Sequence, residues 1–429
     1  ITNCYFFLVV FFFLVFFFSI THLLYSQCPV GDVNLGDQSD VDFFLSTYPT
    51  CEIINGGLLI GSEVTDISGL TSLKRIEGSL RILYSDITSV SNFSALEFIG
   101  GDFEMKENTY LTVIENINQL ETIGGELKIH ANFGGLKTIK GFDNLTSIGS
   151  DFTVNFNPPL QAISGFSNLT NVSGSLSIAN NDNLLNMPNF NKLLTVGGAL
   201  SISSNDDLIE INGFNIIETI GSSLLIENSS LTSIKGFTNL KEVTGLFYIS
   251  GDFSYPLRLS SIPQFNQLEI IGGGFNIDYT GITNLSGFDS LTSIGSLNTG
   301  SGWFSLVSNA SLTIIDGFNN LNRIYGTVDI ITNNSLESII GFNQLTIMGG
   351  GFFLNLNPSL TSLTGLESLI KVAGPGFEND YAFIITDNIS LVDCSAICDL
   401  LSSNGITGLI KIVGNPSMCS SQVEIEQEC

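Results

Sequence analysis

The chain has 429 residues, with 41 Asp and Glu against 14 Lys and Arg, a formal net charge of −27. It holds no basic stripe to neutralise phosphates, which argues against nucleic acid as a partner, and the acidic excess disfavours docking on anionic membranes. Length alone suggests two or three domains, but internal repetition overrules it, because a solenoid lengthens by adding coils to one core.

Residues 1–27 stand apart. "YFFLVVFFFLVFFFSI" (5–20) is an apolar block followed by the more polar "THLLYSQ" (21–27). Its length suits the hydrophobic region of a secretory signal peptide better than a spanning helix, with an uncleaved N-terminal anchor as the lesser reading. Gln27 is not a small residue, which argues against lipid attachment at Cys28. Beyond this leader six cysteines remain: Cys28 and Cys51 near one end, Cys394, Cys398, Cys419 and Cys429 near the other. An even number in a secreted chain reads as disulfides. Cys28 with Cys51 is the obvious first pair, while the last four leave three connectivities open. A zinc site built from those four is disfavoured by the oxidising compartment and by the lack of a nearby His.

Residues 28–57 read as an N-terminal cap. Within "SDVDFFLSTYP" (39–49), Ser39 and Asp42 take the N-cap and N3 places of a short helix. From 58 to 392 the chain repeats itself. Aligned on a Gly-Phe dipeptide or its stand-in, copies start at 69, 92, 116, 141, 165, 189, 213, 236, 264, 287, 317, 341 and 365, most of them 23–25 residues apart. Asparagines at 108, 132, 157, 181, 205 and 228, and again at 309, 333 and 357, keep the same period. Inside each copy, apolar and polar residues alternate in short runs separated by Gly and Asn, the signature of strands with one buried face. In "GGELKIH" Leu127 and Ile129 point inward while Lys128 and His130 point to solvent; in "GSLSIAN" Leu176 and Ile178 repeat the pattern. No stretch of the repeat has helical spacing. Each ladder asparagine follows a strand, where its amide can bond its own turn, and stacked copies are placed to bond one another along the axis.

The expected fold is therefore mainly β: a parallel β-solenoid of about thirteen 23–25-residue coils. One coil cannot bury its own Leu, Ile and Phe, but stacked coils share a continuous core. The open ends would expose strand edges that need covering. Segment 28–57 covers one. At the other, 393–429 supplies "DCSAICDLL" (393–401) and "SSQVEIEQEC" (420–429), both read as short helices that carry the remaining cysteines.

The unit "NLTSIGG-x-L-x-I-x-x-N-x-x-LTSI-x-GF" resembles the receptor L domain, the leucine-rich, right-handed β-helix-like ligand-binding domain of insulin-receptor and EGF-receptor ectodomains. "CPVGDVNLGDQSDVDFFLSTYPTC" and the Cys-rich close are similar to secreted bacterial surface proteins that carry long L-domain-type arrays. The resemblance spans about residues 28–429 and implies a right-handed solenoid, a secreted or cell-surface location and ligand recognition. Thirteen coils exceed a single receptor L domain, and a shared scaffold does not name the partner.

Residues that carry chemistry are few. His130 is the lone histidine beyond the leader and reads as a surface residue, which leaves no triad or His-based metal site. "GGGF" at 272–275 and 349–352 lacks the Lys-Ser/Thr of a phosphate loop. Asp182, Asp206 and Asp207 lie at the Asn turns, where Asp is ordinary turn chemistry, with weak calcium binding as the alternative. Nine sequons, at Asn92, Asn144, Asn168, Asn171, Asn228, Asn284, Asn309, Asn333 and Asn388, largely fall out of the repeat consensus. No catalytic residue, metal ligand or cofactor site is assigned.

Three insertions break the period: "SGDFSYPLR" (250–258), "SLNTGSGW" (296–303) and "AGPGFENDY" (373–381). They carry Tyr255, Trp303 (the only tryptophan), Phe377 and Tyr381. Aromatic rings on loops held by a rigid scaffold are typical binding anchors; rings folded back over the apolar edge are the competing reading. The function expected is non-enzymatic recognition or adhesion toward an extracellular protein or glycan of unknown identity. A polysaccharide-active β-helix enzyme and a purely structural spacer are the alternatives. Against the enzyme, the outward strand positions are mostly Ser, Thr, Asn and isolated charges.

Overall fold

A computed structural model describes residues 28–254, 258–296, 302–374 and 381–429; the leader lies outside them. The two-residue alternation builds three columns of strands. Among the described residues one side is a 16-stranded sheet running from Val33–Asp37 to Leu409–Val413, and the second is a 15-stranded sheet of much shorter strands. The third side is a discontinuous set of 4-, 3- and 2-stranded sheets. Equivalent strands pair in parallel and in register, so that Leu127 faces Phe152 and Phe152 faces Leu176. The 15 strands of the second sheet correspond to about 15 turns rather than thirteen. The terminal turns escape a search for Gly-Phe because caps, not a neighbouring coil's Phe, complete their core.

Inside, Leu and Ile from the strands close around a spine of phenylalanines from the Gly-Phe position. Phe142 stacks on Phe166 at 4.9 Å, Phe190 on Phe214 at 5.1 Å and Phe214 on Phe237 at 5.0 Å. Such pairs contribute roughly 0.5–1.5 kcal/mol each beyond the area they bury. The asparagines form a second spine, fully buried. Asn157 donates its backbone N–H and its Nδ2 to Asn181 Oδ1, both at 3.2 Å, and Nδ2 also reaches the carbonyls of Ile129 and Asn155. Its Oδ1 accepts from the N–H and Nδ2 of Asn132 at 3.1 and 3.0 Å. The preceding residue, Phe156, has φ +54°, which turns the chain so that the amide points inward. Bonds within the turn and bonds along the axis thus coexist in one side chain.

The ladder comes in two runs. The first begins with Ser85 donating to Asn108 and ends at Asn228. The second begins with Thr280 donating to Asn309 and continues through Asn388 to Asn415, past the last asparagine recognised in the sequence. Between the runs Gly251 offers no side chain, and a Cβ there would collide with the carbonyl of Tyr279.

The N-terminal cap holds a helix, Gln38–Thr47, that buries Val41 and Phe44. Its N-cap is Asp37 and its N3 residue Asp40, joined in a capping box, so the Ser39/Asp42 assignment fell two residues late. Ser39 instead donates to Asp37 Oδ1 at 2.6 Å, and a carboxylate takes the capping role because it accepts from the helix amides more strongly. Cys28 bonds to Cys51; at the far end Cys394 bonds to Cys419 and Cys398 to Cys429. There a 3-10 turn (Ser395–Ile397) and short helices Cys398–Ser402 and Gln422–Glu428 close the rod. No helix among the described residues is long and apolar enough to cross a membrane.

Candidate binding face

Outward positions of the 16-stranded sheet align from coil to coil. In the first half of the rod, the residue just before several of these strands serves the scaffold. Ser79 Oγ accepts the N–H of Asp102 (3.0 Å), Asp102 Oδ1 that of Glu126 (3.0 Å), Asp151 Oδ1 that of Ser175 (2.7 Å) and Ser223 Oγ that of Leu246 (3.0 Å). Each of these acids and hydroxyls adds one bond to the backbone ladder of its coil. In the next two positions Arg81, Lys106 and Lys128 lie among Glu104 and Glu126, with Arg81 3.7 Å from Glu104 and Lys128 3.9 Å from Glu126. His130, half-buried beside Glu104, is held below its usual pKa by burial and by Lys128 and Lys106, so it is a neutral ring at neutral pH.

From Gly274 onward the same column changes character. It reads Gly274, Trp303, Thr327, Gly351. The fused bond of the Trp303 indole sits over Gly274, where any Cβ would collide with it, yet 40% of the residue remains exposed. Part of the ring closes the sheet edge and part faces out. Phe353 covers Gly351 in the same way but is buried. Tyr381 opens the strand Tyr381–Thr386, half-buried, ahead of a register shift at Phe383. The strands that Trp303 precedes and Tyr381 opens lie three strands apart in the long sheet, roughly 14 Å. Tyr255 and Phe377 lie outside the described residues. The first insertion does present Phe253, 77% exposed and edge-on to Tyr279 at 5.3 Å, a contact the sequence reading did not anticipate.

Two carboxylates share this face. Asp278 accepts from the N–H of Val307 at 2.7 Å, from Asn276 Nδ2 at 2.8 Å and from Ser305 Oγ at 3.4 Å. It thereby takes over a backbone donor where the strand pairing is confined to Phe275↔Phe304 and Asn276↔Ser305. Burial raises its pKa despite those bonds. Asp329 accepts only from Thr327 Oγ1 at 3.3 Å, and burial, reinforced by the charge of Asp278, pushes its pKa up to about 6. The sequence reading classed such residues as isolated charges; stacking of coils brings them within electrostatic reach. No Lys, Arg or His occupies the outward positions between Gly274 and Thr386. At the other end of the sheet a cavity of about 350 Å³ opens between Asp32, Asn34, Gly57, Ser79 and Arg81, with Asp32 already engaged by the N–H of Gly57.

Among the described residues no group of three or more His, Cys, Asp or Glu is placed to hold a metal ion. Of the sequons, Asn228, Asn309, Asn333 and Asn388 are ladder residues with buried, hydrogen-bonded amides. Asn92, Asn144, Asn168, Asn171 and Asn284 lie at least partly exposed, away from the 16-stranded sheet.

Residues 50–123 match the Receptor L domain family. The strand columns of that stretch run on in unbroken register beyond it. This is a receptor L-domain-like repeat protein. In the second half of the long sheet the column before the strands no longer carries these side-chain bonds, and Trp303 stands in it.

Proposed function

We propose that the protein is a secreted or cell-surface recognition or adhesion protein, without enzymatic activity, that binds an extracellular protein or glycan through the outward face around Trp303. One observation carries this reading: the column in which Ser79, Asp102, Asp151, Ser175 and Ser223 stitch coils together in the first half holds, in the second, an indole that is 40% exposed and seated on Gly274. The disulfide-stapled caps are consistent with an oxidising, extracellular setting. The test is a protein and glycan array probed with the chain lacking its leader. Trp303→Ala is expected to weaken any hit by about 2 kcal/mol while leaving the melting curve nearly unchanged. Unchanged binding with a large loss of stability would place Trp303 in the scaffold instead.

A second reading has a specific observation in its favour. Asp278 and Asp329 lie on one face with the pKa of Asp329 near 6, the kind of carboxylate pair that polysaccharide-cleaving enzymes use for acid–base work. Cleavage of any member of a polysaccharide panel, abolished by Asp329→Asn, would establish it.

A further inference from the structure

We propose that the face around Trp303 docks a cationic side chain of a partner protein, an Arg or Lys laid on the exposed part of the indole with its charge turned toward Asp329. This rests on the recognition reading and specifies the chemistry of the partner. The backbones of Trp303 and Asp329 stand on adjacent strands of one sheet face, about 4.8 Å apart across the strands and about 6.7 Å along them, hence roughly 8 Å, with the indole itself leaning toward Gly274 on the opposite side. An Arg or Lys whose aliphatic stem lies along the indole carries its charge several ångströms beyond the ring, toward the carboxylate, so that stem packing and charge pairing use different parts of one side chain. Gly274 is what lets the indole settle against the sheet edge.

Charge selects the class of partner. Some acids elsewhere on this sheet face stand beside a cation, Glu104 beside Arg81 and Glu126 beside Lys128, while Asp151 is engaged by the backbone N–H of Ser175. Asp329 has one hydroxyl donor and, two strands away, a second carboxylate. A desolvated carboxylate without a counter-charge is costly, and a ligand that brings the missing cation removes that cost. An anionic ligand is repelled, and a neutral sugar offers hydrogen bonds but no charge. The net charge of −27 steers cations toward the surface from a distance. Because Asp329 holds its proton below about pH 6, docking of a cation is expected to tighten as pH rises through that value.

The experiment exploits Trp303 being the only tryptophan, so intrinsic fluorescence reports this face and no other. The chain lacking its leader is titrated, at physiological salt, with an oligoarginine peptide and, separately, with neutral glucan oligosaccharides. The peptide is expected to shift the emission saturably. Asp329→Asn should weaken it at least tenfold, roughly the loss of one desolvated charge pair, and should abolish the gain in affinity between pH 5 and pH 7. Glu121→Gln removes the same charge beside the second sheet and should change affinity less than about twofold. Equal losses in the two variants would reduce the effect to diffuse electrostatics and overturn the proposal. A saturable shift with the oligosaccharide and none with the peptide would also overturn it, while leaving recognition through this face standing. If neither probe shifts the emission, and Trp303→Ala leaves the array hits intact, the recognition reading falls with it.

Discussion

The run from Ser85 to Asn228 and the run from Thr280 to Asn415 share one interior and differ outside. Each has the same asparagine spine, the same Leu and Ile lining and a stack of phenylalanines. Outside, the first half carries every ion pair found among the described residues, from Lys74–Glu52 at 2.9 Å to Lys241–Glu218 at 3.1 Å. Most are exposed and contribute little to stability individually. On the outward face of the long sheet they give Asp102, Glu104 and Glu126 a cationic neighbour. In the second half the outward acids are fewer, deeper and unmatched. The interior tolerates little variation because a change in one coil propagates to the two it stacks on. The outward face is free of that constraint, so its residues can differ from coil to coil.

The sharpest way to break this comparison is to attack the shared spine. Asn157→Ala removes the acceptor of two bonds from Asn132 and the donors to Ile129 and Asn155. Buried groups left unpaired cost about 1–3 kcal/mol each, so a loss on the order of 4 kcal/mol is expected by urea denaturation. Asn333→Ala should cost about as much, and the double variant should be additive within about 0.5 kcal/mol if Gly251 separates the runs. A clear departure from additivity would show the two ladders coupled across the break.

The caps come next. Cys398→Ser with Cys429→Ser is expected to lower stability by roughly 2–4 kcal/mol, with loss of protection starting in the last coils and leaving the first run intact by hydrogen exchange. Uniform loss along the rod would mean that the two halves unfold as one unit.

The two halves should also answer pH in opposite senses. Asp329 has a folded pKa of about 6, above the ordinary aspartate value of 3.8. Between those values the folded state binds a proton that the unfolded state does not, so stability rises as pH falls from 7 toward 4. Removing the charge by Asp329→Asn should therefore stabilise the protein at pH 7.5 by on the order of 2 kcal/mol and by much less at pH 4.5. A melting-temperature gain that is equal at both pH values would refute the assignment. The smallest effect belongs to Glu210, which hydrogen bonds from Lys235, Asn212 and Ser233 hold down to about 2. Its contribution is present above the usual carboxylate pKa and is lost as pH falls through about 2. Glu210→Gln should be nearly silent at pH 7 in a thermal melt and should blunt only the acid limb.

Much of the scaffold was legible in the residues themselves. Period-two alternation at Leu127 and Ile129, the Gly-Phe dipeptides and the evenly spaced asparagines each demand a partner one coil away, so parallel stacking follows from the letters alone. Local signals near the ends read less well. Asp37 rather than Ser39 starts the helix because its carboxylate accepts both the N–H of Asp40 and the hydroxyl of Ser39, and Asn388 and Asn415 joined the ladder across stretched coils that no fixed period predicts. The face was hidden for a deeper reason. Asp278, Trp303 and Asp329 belong to three different coils, and each alone is an unremarkable acid or ring. Only stacking at about 4.8 Å per strand brings them onto one surface, where burial and mutual charge alter their chemistry, and where Gly274 proves to be the seat of an indole rather than a turn residue. Sequence periodicity determines what repeats; the outward environment of each position, which sets its protonation and its free surface, exists only once the coils are stacked.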